Sequence, residues 1–242
     1  MCAVSFSGMA LAQPQTENYI KKMISENIGA GAKIDSVTKT PYAGLYEVRM
    51  GNEIVYTDDK AKYIFVGNIV DLKGTVNYTK QRTDELNRVN FADLPLDAAV
   101  KYVKGDGKRV IAIFEDPNCG YCKKFRRSLQ AVDNLTIYTF MYNILAEDSI
   151  AKSKDIWCAP DRSKAWDEWM INGKVAPSAA ANCSTPHEKV LALGRKLNVT
   201  GTPLVIFTDG SRLSGMVDIK ILEEKFSTLK LAAVKKPALA AK

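Results

Sequence analysis

The residues best suited to chemistry in this sequence are two cysteines in the motif Cys119-Gly120-Tyr121-Cys122. On a helix this spacing is close to one turn, so the two sulfur atoms can bond to each other. A thiolate at such a site attacks a disulfide and forms a mixed disulfide, which the second thiolate or a rearrangement of the substrate resolves. The motif therefore predicts thiol–disulfide exchange, with Cys119 as the attacking residue and Cys122 as the resolving one.

The elements that flank the motif favour a reactive sulfur at Cys119. Residues 109–114 read as a buried strand, and a helix opens at the motif and runs to about residue 130. Unpaired backbone N–H groups at a helix N-terminus favour an anion and lower the pKa of a thiol. Four basic residues act in the same direction, whereas Glu115 and Asp116 act against them. The basic residues are Lys123, Lys124, Arg126 and Arg127.

A metal site is the alternative interpretation of a Cys-x-x-Cys motif. Structural zinc sites need about four nitrogen or sulfur ligands. The only histidine is His187, and Cys158 and Cys183 are too far apart in the sequence to form a second half-site of the usual spacing. We therefore expect no metal ion and no other cofactor.

Cys158 and Cys183 are interpreted as a structural disulfide, with a second redox-active pair as the alternative. In the chain-entropy model the loop that this bond closes is worth roughly 3.5 kcal/mol. The fifth cysteine, Cys2, lies in an uncharged segment that ends in Ala10-Leu11-Ala12, the small-residue pattern of a signal-peptidase site. Removal of residues 1–12 as a short leader would leave four cysteines, which indicates an oxidising compartment.

The rest of the chain reads as two domains. Residues 13–78 are predicted to hold a helix at 16–29 and short strands, two of which flank a hairpin turn at Gly51-Asn52. A unit of this size is small for a stable core, so we expect dimerisation through it. The other parts are a linker helix at 79–95, a catalytic domain at 96–232 and a disordered basic tail at 233–242.

Within the catalytic domain, the pattern alternates strands and helices. The predicted elements are a short helix at 97–103, strands at 109–114 and 135–141, helices over most of 149–197, a strand at 203–207 and a closing helix at 218–230. Thr202-Pro203 begins the last strand, where proline is typical of a rigid or cis turn. From these residues alone, the commoner trans bond remains the default.

Charge and hydropathy limit the classes of partner. The formal net charge is +7, and the excess lies in residues 97–242. Nucleic-acid binding would need basic residues in a recognition motif or interleaved with aromatic residues, and neither is present. No stretch approaches the roughly 20 apolar residues of a membrane-spanning helix. We therefore expect neither nucleic-acid binding nor membrane insertion.

Two sequence segments together resemble a known family. Residues 114–125, after a strand and before a long helical insertion, and Val199-Thr200-Gly201-Thr202-Pro203 before a strand, are similar to bacterial periplasmic disulfide isomerases of the DsbC/DsbG type. The resemblance extends over residues 14–230. It implies a mixed α+β and α/β fold: a C-terminal thioredoxin-like domain with a helical insertion, preceded by a small α+β, cystatin-like dimerisation domain and a linker helix.

The resemblance also assigns roles to individual residues. Cys119 and Cys122 would be catalytic, and Pro203 would be cis and lie against Cys119. Four residues would support the site or contact substrate: Gly120, Tyr121, Thr202 and Pro203. Cys158 and Cys183 would match the structural disulfide of the family. The Gly-Tyr dipeptide resembles DsbC, whereas DsbG has Pro-Tyr, so we favour an isomerase.

The family further implies a periplasmic homodimer whose apolar cleft holds misfolded disulfide-containing secreted proteins. A membrane thiol reductase of the DsbD type would keep its cysteines reduced. The alternatives are an oxidase, a DsbG-like reductase that protects single oxidised cysteines, and a redox-independent holdase chaperone. One departure concerns Ile113, which stands where thioredoxin has a buried Asp, so the general reductase interpretation is weakened. Glu115 is the residue that could take the role of that Asp.

Overall fold

The computed structural model describes residues 12–28 and 33–235, which form two compact units divided after Asn87. The predicted leader therefore lies outside the described residues, except for Ala12, which begins the first helix. Most of the predicted disordered tail also lies outside them, although the last helix continues through Lys235. Within the described ranges, no helix has the length and apolarity needed to cross a membrane.

The first unit combines a four-stranded antiparallel sheet with two helices. Its elements are α1 (Ala12–Asn27), β1 (Ser36–Lys39), β2 (Tyr46–Met50), β3 (Glu53–Thr57), β4 (Ile64–Phe65) and α2 (Tyr78–Leu86). The strand order is β1-β2-β3-β4. Ile20 and Ile24, one turn apart on α1, are buried in one core with Val48 and Val55 of the sheet. The apolar face of α1 thus covers one face of this sheet, as its amphipathic pattern predicts.

The predicted hairpin is confirmed, because β2 and β3 pair on either side of Gly51 and Asn52. Gly51 has a φ of +63°, a left-handed conformation that glycine adopts without strain. The strands predicted after the hairpin are shorter than expected. Strand β4 has 2 residues, and the segment 69–72 forms a single bridge through Val70. The sheet therefore ends at a very short edge strand.

The segment 79–95, predicted as a linker helix, is helical only as far as Leu86. The residues that follow use their backbone groups in the second unit. The N–H of Val89 donates to the carbonyl oxygen of Gly210 at 2.9 Å. Val89 and Leu94 are also buried in the core of that unit. Residues from Arg88 onward belong to the second unit, and packing within its core, with 3-10 turns at Phe91–Asp93 and Leu96–Ala98, replaces the last predicted turns of the α-helix.

The second unit is built on a five-stranded sheet. Its strands are β5 (Val100–Lys104), β6 (Arg109–Glu115), β7 (Leu135–Met141), β8 (Leu204–Phe207) and β9 (Arg212–Ser214). The strand order is β5-β7-β6-β8-β9. Strands β6 and β7 are parallel, and the other neighbours are antiparallel. This mixed sheet agrees with the predicted fold class.

The predicted short helix at 97–103 is wrong. Most of this segment forms edge strand β5, which pairs with β7 after a single 3-10 turn at Leu96–Ala98. Val100 is buried, Lys101 is exposed and Tyr102 is half-buried, which is the period-two alternation of a strand. Pairing with β7 therefore decides the conformation of this segment.

Helices cover both faces of the central sheet. They are α3 (Gly120–Ser128), α4 (Ser149–Trp157), α5 (Arg162–Asn172), α6 (His187–Lys196) and α7 (Ile219–Lys235). Phe125 of α3 and Phe226 of α7 pack on one face, and Val190 of α6 packs on the other. Helices α4, α5 and α6 form the predicted helical insertion between β7 and β8. Ile156 of α4 and Trp166 of α5 belong to a third buried cluster, which surrounds the cysteine motif.

Candidate active site

Cys119 is the N-cap residue of α3, and its sulfur accepts a hydrogen bond from the backbone N–H of Cys122 at 3.1 Å. The turn before the helix sets this position, because the N–H of Cys119 donates to the carbonyl oxygen of Asp116 at 3.0 Å. The sulfur therefore lies at the positive end of the helix, where an anion is stabilised. This is the placement expected from the strand–motif–helix pattern.

Cys119 and Cys122 are bonded to each other, and their Cα atoms are 5.1 Å apart. The exposed fraction is 2% for Cys119 and 0% for Cys122. Between them, Tyr121 is 65% exposed, and a Cβ added to Gly120 would meet open space. The Gly-Tyr dipeptide thus lies at the outer surface of the site.

The loop before β8 brings Thr202 and Pro203 to the motif. The Thr202–Pro203 peptide bond is cis, and the carbonyl oxygen of Thr202 lies 3.4 Å from the sulfur of Cys119. The carbonyl oxygen of Pro203 accepts a hydrogen bond from the N–H of Gly215 at 2.8 Å, which holds this loop to the neighbouring strand. The contact between Thr202 and the sulfur is thus made by the backbone.

Asp116 organises the rim of the site, a role that sequence reasoning missed. Its buried carboxylate accepts hydrogen bonds from the N–H groups of Asn118, Ile144 and Leu145 and from the hydroxyl of Ser149. All four distances lie between 2.8 and 3.0 Å. The carboxylate therefore joins the turn before Cys119 to the loop after β7 and to the start of α4. An Asp side chain that bonds the backbone N–H two residues later is typical of such a turn, so Asp116 itself is the local signal.

Two lysines and Trp169 form a cationic surface beside this turn. The ammonium groups of Lys123 and Lys152 lie 4.3 and 5.1 Å from the centre of the Trp169 ring. The indole N–H of Trp169 donates to the carbonyl oxygen of Pro117 at 2.6 Å. Burial lowers the pKa of Lys123, and repulsion by Lys152 lowers it further. The positive potential expected around the motif therefore includes a lysine from α4.

Glu115, the residue singled out as a possible substitute for the thioredoxin Asp, is fully buried at the end of β6. Burial raises the pKa of its carboxyl group to about 7, although Arg126 and a hydrogen bond from Trp166 favour the ionised form. The indole N–H of Trp166 donates to Oε2 of Glu115 at 3.2 Å. A titratable group with a pKa near neutrality thus lies next to the motif in the chain.

Cys158 and Cys183 form a disulfide within the insertion, with Cα atoms 6.3 Å apart. Cys158 is the C-cap residue of α4. His187, the single histidine of the sequence, is half-buried at the start of α6, and its Nδ1 lies 3.0 Å from the amide nitrogen of Asn143. Within residues 12–28 and 33–235, no cluster of three or more His, Cys, Asp or Glu side chains is arranged to hold a metal ion.

Comparison with known families divides the chain into two matched segments. Residues 96–230 match the thioredoxin-like domain family, and residues 9–80 match the family described as the disulfide bond isomerase protein N-terminal domain. The first match covers the five-stranded unit and its cysteine motif. The second covers the four-stranded unit.

Individual relatives agree with these matches. The probable thiol:disulfide interchange protein DsbC of Bordetella parapertussis is 48% identical over 195 residues, which cover 81% of this chain and 69% of the relative. The DsbC protein of Escherichia coli is 31% identical over 227 residues, which cover 91% of this chain and 90% of the relative. The crystal structure of a disulfide interchange protein from Neisseria gonorrhoeae superposes with a TM-score of 0.53 and 36% identity, covering 56% of this chain and 97% of that one.

These relatives confirm the resemblance predicted from residues 114–125 and 199–203. The Bordetella and Escherichia proteins carry the DsbC name, in agreement with the preference for DsbC over DsbG based on the Gly-Tyr dipeptide. The chain therefore belongs to the DsbC family of thiol:disulfide interchange proteins and is a thiol–disulfide oxidoreductase and isomerase with a thioredoxin-like catalytic domain.

Proposed function

We propose that this protein is a periplasmic, homodimeric isomerase in which Cys119 attacks incorrect disulfides of secreted proteins and Cys122 rescues stalled intermediates. One observation carries the assignment of the two roles: the sulfur of Cys119 caps α3 and lies against the carbonyl oxygen of Thr202, whereas Cys122 lies within the first turn of the helix and donates its backbone N–H to that sulfur. A thiolate is stabilised at the position of Cys119, at the N-terminus of the helix.

The reaction begins when the thiolate of Cys119 attacks one sulfur of a substrate disulfide. That bond breaks, one substrate sulfur leaves as a thiolate and the other is bonded to Cys119. In isomerisation, another substrate thiolate attacks the substrate sulfur of this mixed disulfide, and the thiolate of Cys119 is regenerated without net oxidation. In reduction, the thiolate of Cys122 attacks the sulfur of Cys119, so the enzyme pair becomes oxidised and the substrate leaves reduced.

The residues around the sulfur position the substrate. The backbone of Thr202 lies beside the reacting sulfur, and the side chain of Tyr121 in the motif is exposed. Ile144 and Leu145, held by Asp116, are 39% and 53% exposed. Exposed apolar side chains at the rim suit partly folded proteins, whose own apolar residues are not yet buried. This rim supports chaperone-like binding as an accompaniment to exchange.

Dimerisation is proposed through the first unit. The segment from Tyr63 to Leu72 exposes large apolar side chains next to the short edge strand β4. They are Tyr63, Ile64, Phe65, Val66, Val70 and Leu72. A sheet edge with unpaired backbone groups and exposed apolar residues is suited to pairing with another chain. This segment supports residues 13–78 as the dimerisation domain, as predicted from their small size.

The periplasmic location rests on the chemistry of the second cysteine pair. A structural disulfide such as Cys158–Cys183 persists in oxidising compartments. An isomerase there needs its attacking cysteine reduced, so an electron donor must be supplied from outside that compartment. We therefore propose a membrane thiol reductase of the DsbD type as the partner that reduces Cys119 and Cys122.

Refolding of a scrambled multi-disulfide protein tests the assignment. We expect Cys119→Ser to abolish the recovery of native pairing, because no thiolate remains to start exchange. Cys122→Ser should retain some recovery but accumulate mixed disulfides visible on non-reducing gels. Equal residual activity in both variants would contradict the assigned roles. Suppression of aggregation that is unchanged in Cys119→Ala, with no recovery of native pairing even in the wild type, would instead indicate a holdase.

Deletion of residues 13–78 tests the proposed dimerisation domain. The shortened chain should be a monomer by light scattering, with weak isomerase activity but surviving reductase activity. The matched variant is the full chain with Phe65→Lys and Val66→Lys, which should also be a monomer. Both side chains are exposed, so these substitutions leave the core of the unit in place. A deletion product that remains dimeric would assign the interface to the second unit.

A further inference from the structure

Lys123 and Lys152 belong to different helices and place their ammonium groups at the same indole ring. Lys123 lies in the first turn of α3, and Lys152 lies in α4. Their Nζ atoms are 4.3 and 5.1 Å from the centre of the Trp169 ring. An aromatic ring attracts each ammonium group, but two like charges held at one ring also repel each other. An anion bound beside the ring would relieve this repulsion.

The acidic side chains near this cluster neutralise only part of its charge. Asp148 forms an ion pair with Lys152, and Asp116 uses its carboxylate for the four hydrogen bonds described above. Among the described residues, none forms an ion pair with Lys123. Burial lowers the pKa of Lys123, repulsion by Lys152 and Arg127 lowers it further, and no carboxylate of the described residues opposes them. The cluster therefore keeps an excess of positive charge.

This charge is fixed to the turn that holds the attacking sulfur. Nζ of Lys152 donates to Oδ1 of Asn118, the residue directly before Cys119, at 2.9 Å. The backbone N–H of Lys123 donates to the carbonyl oxygen of Cys119 at 3.0 Å. The indole of Trp169 is bonded to the same turn, one residue further back. A substrate that reacts with Cys119 must therefore pass beside the two ammonium groups.

The three side chains of the cluster are accessible as well as fixed. Lys123, Lys152 and Trp169 are all half-buried, and 27% of the Lys152 side chain is exposed. A lysine that is already held in place loses less side-chain entropy when it binds a ligand than a mobile surface lysine does. An ammonium group offers three hydrogen-bond donors, which form strong, short bonds with a carboxylate. The cluster thus has the chemistry of a small carboxylate-binding surface.

We propose that Lys123, Lys152 and Trp169 recognise an acidic side chain that flanks the reacting disulfide of a polypeptide substrate. This inference rests on the attack by Cys119 proposed above. The carboxylate of a substrate Asp or Glu accepts hydrogen bonds from the ammonium group of Lys123 and neutralises the cluster, while the neighbouring substrate disulfide lies at the sulfur of Cys119. Charge complementarity of this kind mainly gives specificity and speeds association. The enzyme should therefore prefer disulfides in acidic segments.

Three synthetic peptide disulfides test this preference. Each is a disulfide-linked pair of identical single-cysteine peptides. In the first peptide glutamates flank the cysteine, in the second the same glutamates stand at the two ends, and in the third glutamines flank the cysteine. The full chain carrying Cys2→Ser, with only Cys119 and Cys122 reduced, is added in excess near neutral pH. The loss of peptide disulfide is followed by acid quenching and mass spectrometry. Each rate is divided by the rate with mercaptoethanol, a neutral thiol, which removes the intrinsic reactivity of the peptide.

We expect the wild type to prefer the peptide with flanking glutamates over each of the other two by at least about 10-fold. This preference should decrease at about 0.5 M salt, because the charges are partly exposed. In Lys123→Gln/Lys152→Gln it should fall to about 2-fold or less, whereas Lys123→Arg keeps the charge and should keep most of it. The control Lys104→Gln/Lys108→Gln removes two charges at the opposite end of the sheet and should keep the full preference.

A rate that falls equally with all three peptides in Lys123→Gln/Lys152→Gln would overturn the proposal, because the lysines would then act only on the thiolate of Cys119. Equal rates for flanking and terminal glutamates in the wild type would also overturn it, since net charge alone would be sensed. The same holds if the Lys104→Gln/Lys108→Gln control loses the preference.

The single variant Lys123→Gln decides if the double variant does not fold, as judged by circular dichroism. It leaves the bond between Lys152 and Asn118 in place and should lower the preference by at least about 3-fold, and an unchanged preference would overturn the proposal. Absence of reaction between the wild type and any of the three peptides would instead contradict the role of Cys119. The two failures are therefore distinguishable.

Discussion

The two cysteine pairs of the second unit differ in the part of a helix that each one occupies. Cys119 is the N-cap residue of α3, whereas Cys158 is the C-cap residue of α4. A thiolate is stabilised by the N–H groups at the first position and is opposed by the carbonyl groups at the second. A reactive pair is expected to be the more exposed of the two, but Cys119 and Cys122 are more deeply buried than Cys158 and Cys183. Local electrostatics, rather than access to solvent, distinguishes the pair assigned to catalysis.

The pairs also differ in the length of chain that they close. The sequence separation is 3 for Cys119–Cys122 and 25 for Cys158–Cys183. A longer loop loses more entropy in the unfolded chain when it is crosslinked. The insertion disulfide therefore has the larger effect on stability, and the motif disulfide is free to open and close with little effect on folding.

The largest expected difference is in the rate of exchange. Cys119→Ser should lower the rate by at least about 1000-fold, because the nucleophile is lost. The double variant Cys158→Ser/Cys183→Ser should retain exchange within about 3-fold at a temperature where it is folded. Reduction of a scrambled substrate, followed by thiol trapping, measures both. A similar loss in the two variants would assign the insertion pair to the redox reaction.

The next effect is on the stability of the second unit. Cys158→Ser/Cys183→Ser should lower the free energy of unfolding by about 3.5 kcal/mol in the chain-entropy model. The matched control, Cys119→Ser/Cys122→Ser, should cost less because its loop is short. Denaturant titration followed by tryptophan fluorescence measures the change in midpoint. An equal loss in both variants would show that loop length does not separate the two pairs.

A third effect concerns the pH dependence of stability at Glu115. Its pKa is about 7 in the folded protein and 4.5 ordinarily, so the folded state holds the proton more tightly. Stability should therefore fall as the pH rises from about 4.5 to 7, by about 3 kcal/mol at 1.4 kcal/mol per pH unit. Glu115→Gln has no carboxyl group to ionise at this position. Its free energy of unfolding should therefore equal that of the wild type at pH 4 and exceed it by the largest amount above pH 7. A constant difference between the two titration curves would contradict the raised pKa.

The smallest expected effect is at the start of α5, inside the loop that the insertion disulfide closes. Oδ1 of Asp161 accepts a hydrogen bond from the N–H of Lys164 at 2.9 Å, as an N-cap. Asp161→Ala should lower the stability of the second unit by about 1 kcal/mol and leave exchange unchanged. Asp161→Asn keeps the acceptor oxygen and should cost little. A change in exchange rate in either variant would connect this helix to catalysis.

Sequence reasoning was accurate where a signal is local. The hairpin at Gly51-Asn52 and the strand that leads to the cysteine motif have turn and hydrophobic patterns within a few residues. The segment 97–103 was mistaken for a helix because its conformation depends on pairing with β7.

The contacts around the site could not be predicted from the sequence, because they join residues that are distant in the chain. The partner of Glu115 is Trp166, 51 positions away, and Asp116 binds the hydroxyl of Ser149, 33 positions away. A pattern within one segment indicates that an acidic residue stands near the motif. The hydrogen-bond partners of that acidic residue depend on how the helical insertion packs, which a local pattern does not show.

Gly120 has a consequence for the design of new variants. It occupies the first position of α3, and a Cβ there would extend into open space, so glycine is not required by packing. Tyr121 points outward as well. The two central positions of the motif can therefore be randomised together without disturbing the scaffold. A selection from such a library would yield variants that differ in the redox properties of the cysteine pair and share the same fold.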